Sequence, residues 1–96
     1  MNNIEKAILN LKINKFKIGD RVMFTKIDPK FPYTGNDIKP KETGTIRIIK
    51  TDGRALPIGI EWDLKTPSKH TMNGECPQGY GYWISINSIK KIKTNS

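Results

Sequence analysis

Cysteine is nearly absent from this 96-residue chain, which holds Cys76 and no other. No intrachain disulfide can form, whereas secreted domains this small usually carry several, so the composition points to a reducing, cytoplasmic setting. Long apolar runs are missing too. Nothing approaches the roughly 18 residues of a membrane span. Near the N-terminus Glu5, Lys6, Asn10 and Lys12 interrupt every apolar stretch, which argues against a signal-peptide core and against a membrane partner. Histidine occurs once, at His70. A structural zinc site takes four ligands. One His and one Cys, even helped by Asp63 and Glu75, fall short, so neither metal nor cofactor is expected. A Cys–His nucleophile also needs an orienting third group and oxyanion donors. No pattern marks them, so His70 and Cys76 read as packing residues of a loop and the chain as a non-enzyme. Glycines are present without a phosphate-cradling pattern, because residues 79–81 lack a third glycine and a following helix.

What is abundant is positive charge. Seventeen basic residues face nine acidic ones, a net charge of +8. Such a balance attracts polyanions, yet only Arg21, Arg47 and Arg54 are arginines, the side chain best suited to bidentate contacts with phosphate and guanine. The lysine, isoleucine and asparagine bias is equally the signature of an AT-rich coding sequence. The length gives one domain with a modest core, too small for a core plus a deep, water-excluding cleft.

Along the chain, residues 3–12 read as a short amphipathic helix with Ile4, Ala7, Ile8 and Leu11 at helical spacing and Asn2 or Asn3 as cap. Ten residues are marginal alone, so the helix is expected to dock on the body or on a partner. From Phe16 the period changes to two. Val22 and Phe24 share one strand face. Residues 28–43, with three prolines and Gly35, read as a long loop of the kind that carries function. Residues 44–50 form a second strand, ended by the Asp52-Gly53 turn signal. A third spans 57–63, with Ile58, Ile60 and Trp62 on one face. Residues 64–79 make another long loop, 80–86 a fourth strand, Asn87-Ser88 a tight turn, and 89–93 a fifth strand. The organisation expected is a helix and linker over 1–15, an all-β, five-stranded closed barrel over 16–93, and a disordered tail over 94–96.

The segment Phe16-Lys17-Ile18-Gly19-Asp20-Arg21-Val22, followed by Gly44-Thr45-Ile46 and by Ile58-Gly59-Ile60-Glu61-Trp62-Asp63, resembles the SH3-like β-barrel superfamily, the CAP-Gly and KOW-type barrels included. Residues 81–84 and 89–92 are similar to the closing strand, turn and strand of such barrels. A narrower likeness, on Glu61 to Asp63, His70, Gly74, Cys76, Gly79, Gly81 and Trp83, is to small phage and prophage proteins with no activity to transfer. The resemblance implies a fold. It does not imply tubulin-tail binding, since residues 65–74 carry no G-K-N-D-G loop. Nor does it imply proline-rich ligands, since the long loop bearing Phe31 and Tyr33 is basic where a peptide-binding SH3 loop is acidic.

Function is therefore sought in a surface. Tyr82, Ile84 and Ile86 alternate with Trp83 and Ser85. The isoleucines should take the core, which leaves Trp83 near the surface. Phe31, Tyr33, Tyr80 and Trp83 form a candidate aromatic face for a protein partner, with Phe31 and Tyr33 beside Trp83 as its floor. The alternative for Trp83 is to lid the barrel or pack on the helix. Arg47, Arg54, Lys69, Lys90, Lys91 and Lys93 are candidate phosphate contacts for a nucleic-acid partner, with Trp83 stacking on a base. Lysines on a last strand also simply guard an edge. The two readings are a protein-binding module, favoured, and a nucleic-acid-binding barrel, in either case a monomer or weak homodimer.

Overall fold

The computed structural model describes residues 2–36 and 38–92. Its first element, α1, is an α-helix over Asn3–Ile13. Asn2 caps it. The Asn2 side-chain oxygen accepts from the Glu5 amide at 2.8 Å, and the Asn2 amide group donates back to the Glu5 carboxylate at 3.1 Å. The first bond satisfies one open backbone amide of the first turn, and the second holds the capping side chain in place. At the other end the Asn14 amide still reaches the Asn10 carbonyl at 2.9 Å, after which the chain leaves through a turn at Phe16. The turn that follows places Gly19 at φ +94°, a conformation glycine adopts without strain. Its amide donates to the Ile46 carbonyl at 2.8 Å.

Five strands follow: β1 Arg21–Phe24, β2 Thr43–Ile49, β3 Ile58–Trp62, β4 Gly81–Ile84 and β5 Ile89–Lys91. They form one antiparallel sheet in the order β4-β3-β2-β1-β5. The first four strands meander. A single 3₁₀ turn over Ile86–Ser88, capped by the Ser85 hydroxyl, then carries the chain back to the far side of β1. The two end strands, β4 and β5, do not pair with each other among the described residues, so the sheet stays open where closure was expected.

Alternation places the core. Val22 and Phe24 from β1, Ile46 from β2, Ile58, Ile60 and Trp62 from β3, and Ile84 from β4 are buried together. Ile13, Ile38, Ile86 and Ile89 close the cluster. Phe24 meets Trp62 edge to face, with ring centres 6.3 Å apart, the arrangement aromatic quadrupoles favour. The register slips between Ile46 and Ile48, a bulge at Arg47 that the sequence reading lacks. Because of it Ile48 stands opposite Gly59 and Ile49 opposite Ile58, so Ile49 packs on the core and Ile48 on the outer face beside Trp83.

The last two strands are shorter than their patterns: β4 is four residues where 80–86 was expected, and β5 ends at Lys91, while the 3₁₀ turn between them begins one residue before Asn87. Lys93 and the tail at 94–96 lie outside the described residues.

Candidate functional site

The docked face of α1 is not the one its strongest stripe suggested. Leu9 and Ile13 turn inward, Ile13 fully buried and Leu9 packed against the core. Ile4, Ile8 and Leu11 point away from the body at 73%, 50% and 68% exposure. At 3.6 residues per turn these three fall within about 60° of arc, opposite Leu9 and Ile13. The helix is thus apolar on two sides, and one side has no cover. The other large exposed aliphatics, Ile18 and Leu64, sit singly in separate turns.

Beside Ile8 the uncovered row runs into a groove between α1 and the body. Ile8, Leu9, Phe31, Ala55 and Ile86 form its apolar walls, and Glu5, Lys12 and Lys30 its rim, around a cavity of about 210 Å³. The floor is held by Asp28, which is buried. Its carboxylate accepts from the Ser85 hydroxyl at 2.5 Å, the Asn87 amide group at 3.2 Å and the Lys30 backbone amide at 3.0 Å. Burial acts to raise this carboxyl, but the Ser85 bond and the two amide bonds outweigh it and hold the group below the ordinary aspartate range. A lone acid in a proline-rich loop gave no pattern by which the sequence could have flagged Asp28.

The four candidate aromatics do not assemble into one face. Phe31 is half-buried in the groove just described, while Tyr33 projects into solvent at 87% exposure. Trp83 is half-buried on the outer face of the sheet, in a shallow depression with Asp52, Gly53, Arg54 and Leu56. Ala55 belongs to the first site and its neighbours to the second, so the 52–56 turn stands between Phe31 and Trp83. The expected floor of Phe31 and Tyr33 beneath Trp83 is therefore not formed. Trp83 instead lies across Gly59, where a Cβ would meet its ring at 3.3 Å and Ile48 at 3.2 Å. The Arg54 guanidinium covers the indole at 5.7 Å from the ring centre. Arg54 is itself bound to Asp52, whose carboxyl it pulls down to about 2. Tyr80 is half-buried and precedes β4, where its carbonyl accepts from the Trp62 amide at 2.8 Å.

His70 and Cys76 act through the 64–79 loop. The His70 backbone pairs with Gly81 in both directions, at 2.7 and 2.6 Å, so the loop continues the sheet past β4. The imidazole Nδ1 accepts from the Met72 amide at 3.0 Å. The Cys76 thiol points instead toward the carbonyls of His70 and Thr71, at 3.7 and 3.6 Å. Burial, with Glu61 nearby, pushes that thiol up, the reverse of activation. Met72 and Cys76 fill the space above Gly81, where a Cβ would sit 2.8 Å from each. Among the described residues no group of three or more His, Cys, Asp or Glu side chains is placed to hold a metal ion.

The candidate phosphate contacts are dispersed. Lys69 is a correction: its side chain is wholly buried, donating to the Glu42 carboxylate and the Leu64 carbonyl. A lysine in the interior must find a counter-charge, and this one ties the 64–79 loop to the end of the 25–42 loop. Arg47 pairs with Glu61, Arg54 with Asp52, and Arg21, outside the candidate set, with Asp63 and Thr43. Lys91 pairs with Asp20 at 3.2 Å, and Lys90 is exposed beside it on edge strand β5. Lys93 lies outside the described residues. No family model matches the chain, and no curated protein matches it.

Proposed function

We propose that this chain is an SH3-like barrel serving as a non-enzymatic, protein-binding module, and that its contact surface is the outer face of α1 with the adjoining Phe31 groove. Support for the barrel comes from strand order and reach. β4 and β5 end the sheet order, so a flat sheet would hold them about 19 Å apart at ~4.8 Å per strand. The five steps from Ile84 to Ile89 span at most ~18 Å when fully extended, and a 3₁₀ turn shortens them. The sheet must curl to bring its ends near each other.

The observation that carries the binding reading is the uncovered row of Ile4, Ile8 and Leu11. Three aligned large aliphatics leading into an apolar groove are a patch of the kind that marks protein contacts, unlike singly scattered ones. The aromatic contribution comes from Phe31, which lines the groove, while Tyr33, Tyr80 and Trp83 do not line it. Nucleic-acid binding through a basic strip is the lesser reading. Its arginines are committed to carboxylates, its Lys69 is interior, and the Trp83 ring is already covered by Arg54.

Panning a random displayed peptide library on the intact chain tests the proposal. Convergent peptides that lose binding to an I4E/I8E/L11E variant are expected. Peptides that bind this variant undiminished, or no enrichment together with micromolar, salt-sensitive binding of single-stranded DNA or RNA, would overturn it.

A further inference from the structure

We infer that the partner segment this surface accepts is an acidic amphipathic helix, seated along α1 with one apolar anchor in the Phe31 groove. The inference rests on the protein-binding reading and adds the chemistry of the occupant. The shape argument comes first. Ile4, Ile8 and Leu11 repeat at the i, i+4, i+7 spacing by which two helices pack. The groove alongside, at about 210 Å³, exceeds the ~150 Å³ at which an apolar cavity takes up a benzene-sized group. A leucine or phenylalanine side chain fits it, and Ile8, Leu9, Phe31 and Ile86 supply the lining.

The charge argument selects between occupants. The molecule's carboxylates are largely spent on its own cations: Asp20, Glu42, Asp52, Glu61 and Asp63 each form an ion pair. Near the surface in question, Glu5 is engaged by the Asn2 cap and Asp28 is buried beneath Ser85. Lys12 and Lys30 on the groove rim, and Lys15 just past the end of α1, form no ion pair among the described residues, and all three are exposed, whereas Lys6 lies on the opposite side of the helix against Gly53. A second copy carries the same +8 charge, and this repulsion between whole molecules costs affinity and on-rate. An apolar stripe flanked by Asp and Glu answers both the row and its lysines. A bilayer would take the protruding row but leave the recessed groove walled by Phe31 and Ala55 unfilled.

The probe is a synthetic helical peptide with leucines at i, i+3, i+4 and i+7 and glutamates elsewhere. Its controls are a scrambled version and a version with lysine in place of glutamate. Titrated into the isotope-labelled full chain, the glutamate peptide should bind saturably and shift the resonances of Ile4, Ile8, Leu11 and Phe31. Ile8→Glu should weaken it about tenfold or more, with thermal unfolding of the variant checked alongside. The paired reversal of Lys12 and Lys30 to Glu should weaken it and favour the lysine peptide. Equal binding of the scrambled or lysine peptide, or no saturable shift at millimolar peptide, overturns the inference. So does tighter binding of anionic phosphatidylserine vesicles through the same residues, or self-association that buries them. If library panning still yields peptides dependent on Ile4, Ile8 and Leu11, the protein-binding reading survives and only the acidic-helix assignment falls.

Discussion

Lys69 shows how far a single side chain can depart from what its type suggests. In sequence it is one more lysine among many, and its charge invites a surface role. In the fold it is the interior half of an ion pair with Glu42, its second contact being the Leu64 carbonyl. Nothing local to Lys69 announces this, because its partner lies 27 residues away. Removing one half strands the other as an uncompensated buried charge, so Lys69→Met is expected to lower stability by about 3–5 kcal/mol. The double replacement Lys69→Met with Glu42→Leu removes both charges and should recover most of that loss. Denaturant unfolding of the wild type, the two single variants and the double variant measures the coupling.

At the scale of elements, the strands were the readable part. Alternation put Val22 with Phe24, and Ile58 with Ile60 and Trp62, on one face of their strands and Ile84 in the core, and all six are buried. The bulge in β2 was not readable, since three isoleucines within four residues fit either register. For α1 the existence and extent of the helix were legible to within a residue, but its orientation was not. Two apolar sides compete there, and the longer stripe, Ile4, Ala7, Ile8 and Leu11, faces solvent. Periodicity reports that a face is apolar without saying what it meets. The uncovered face follows from the same ambiguity: a surface was sought among aromatics, whereas of the four only Phe31 lines the groove beside α1. Substitution separates the two sides. Ile4→Glu and Leu11→Glu should each leave the unfolding free energy of the free chain within about ±0.5 kcal/mol of its original value. Ile13→Ala should cost about 2–5 kcal/mol, as a buried truncation that leaves a cavity. Calorimetry on the three variants decides which side holds the helix down.

For the molecule as a whole, the carboxylates set the acid limit. Asp20, Asp28 and Asp63 titrate below the ordinary aspartate value. Burial works against the shift in Asp20 and Asp28 and is outweighed by hydrogen bonds, while in Asp63 the Arg21 bond leads. A folded-state value below the unfolded one means that the unfolded chain binds more protons in that window. Stability is then complete above the ordinary aspartate value of 3.8 and drains away as pH falls through the lower folded values. Melting temperature should accordingly hold level from about pH 7 to pH 5 and drop steeply below about pH 4. Asp28→Asn should make that drop shallower while lowering stability at neutral pH by about 1–3 kcal/mol.

The buried link from Lys69 to Glu42 and Leu64 also bears on how the molecule breathes. Neither long loop can lift away singly without exposing half of that link to a vacancy, so the two are mechanically one flap. In deuterated buffer the Lys41 and Glu42 amides of one loop and the His70 and Cys76 amides of the other, each hydrogen-bonded to backbone, should exchange with a common opening free energy. Cutting the link with the paired Lys69→Met and Glu42→Leu replacement should let them exchange at separate rates.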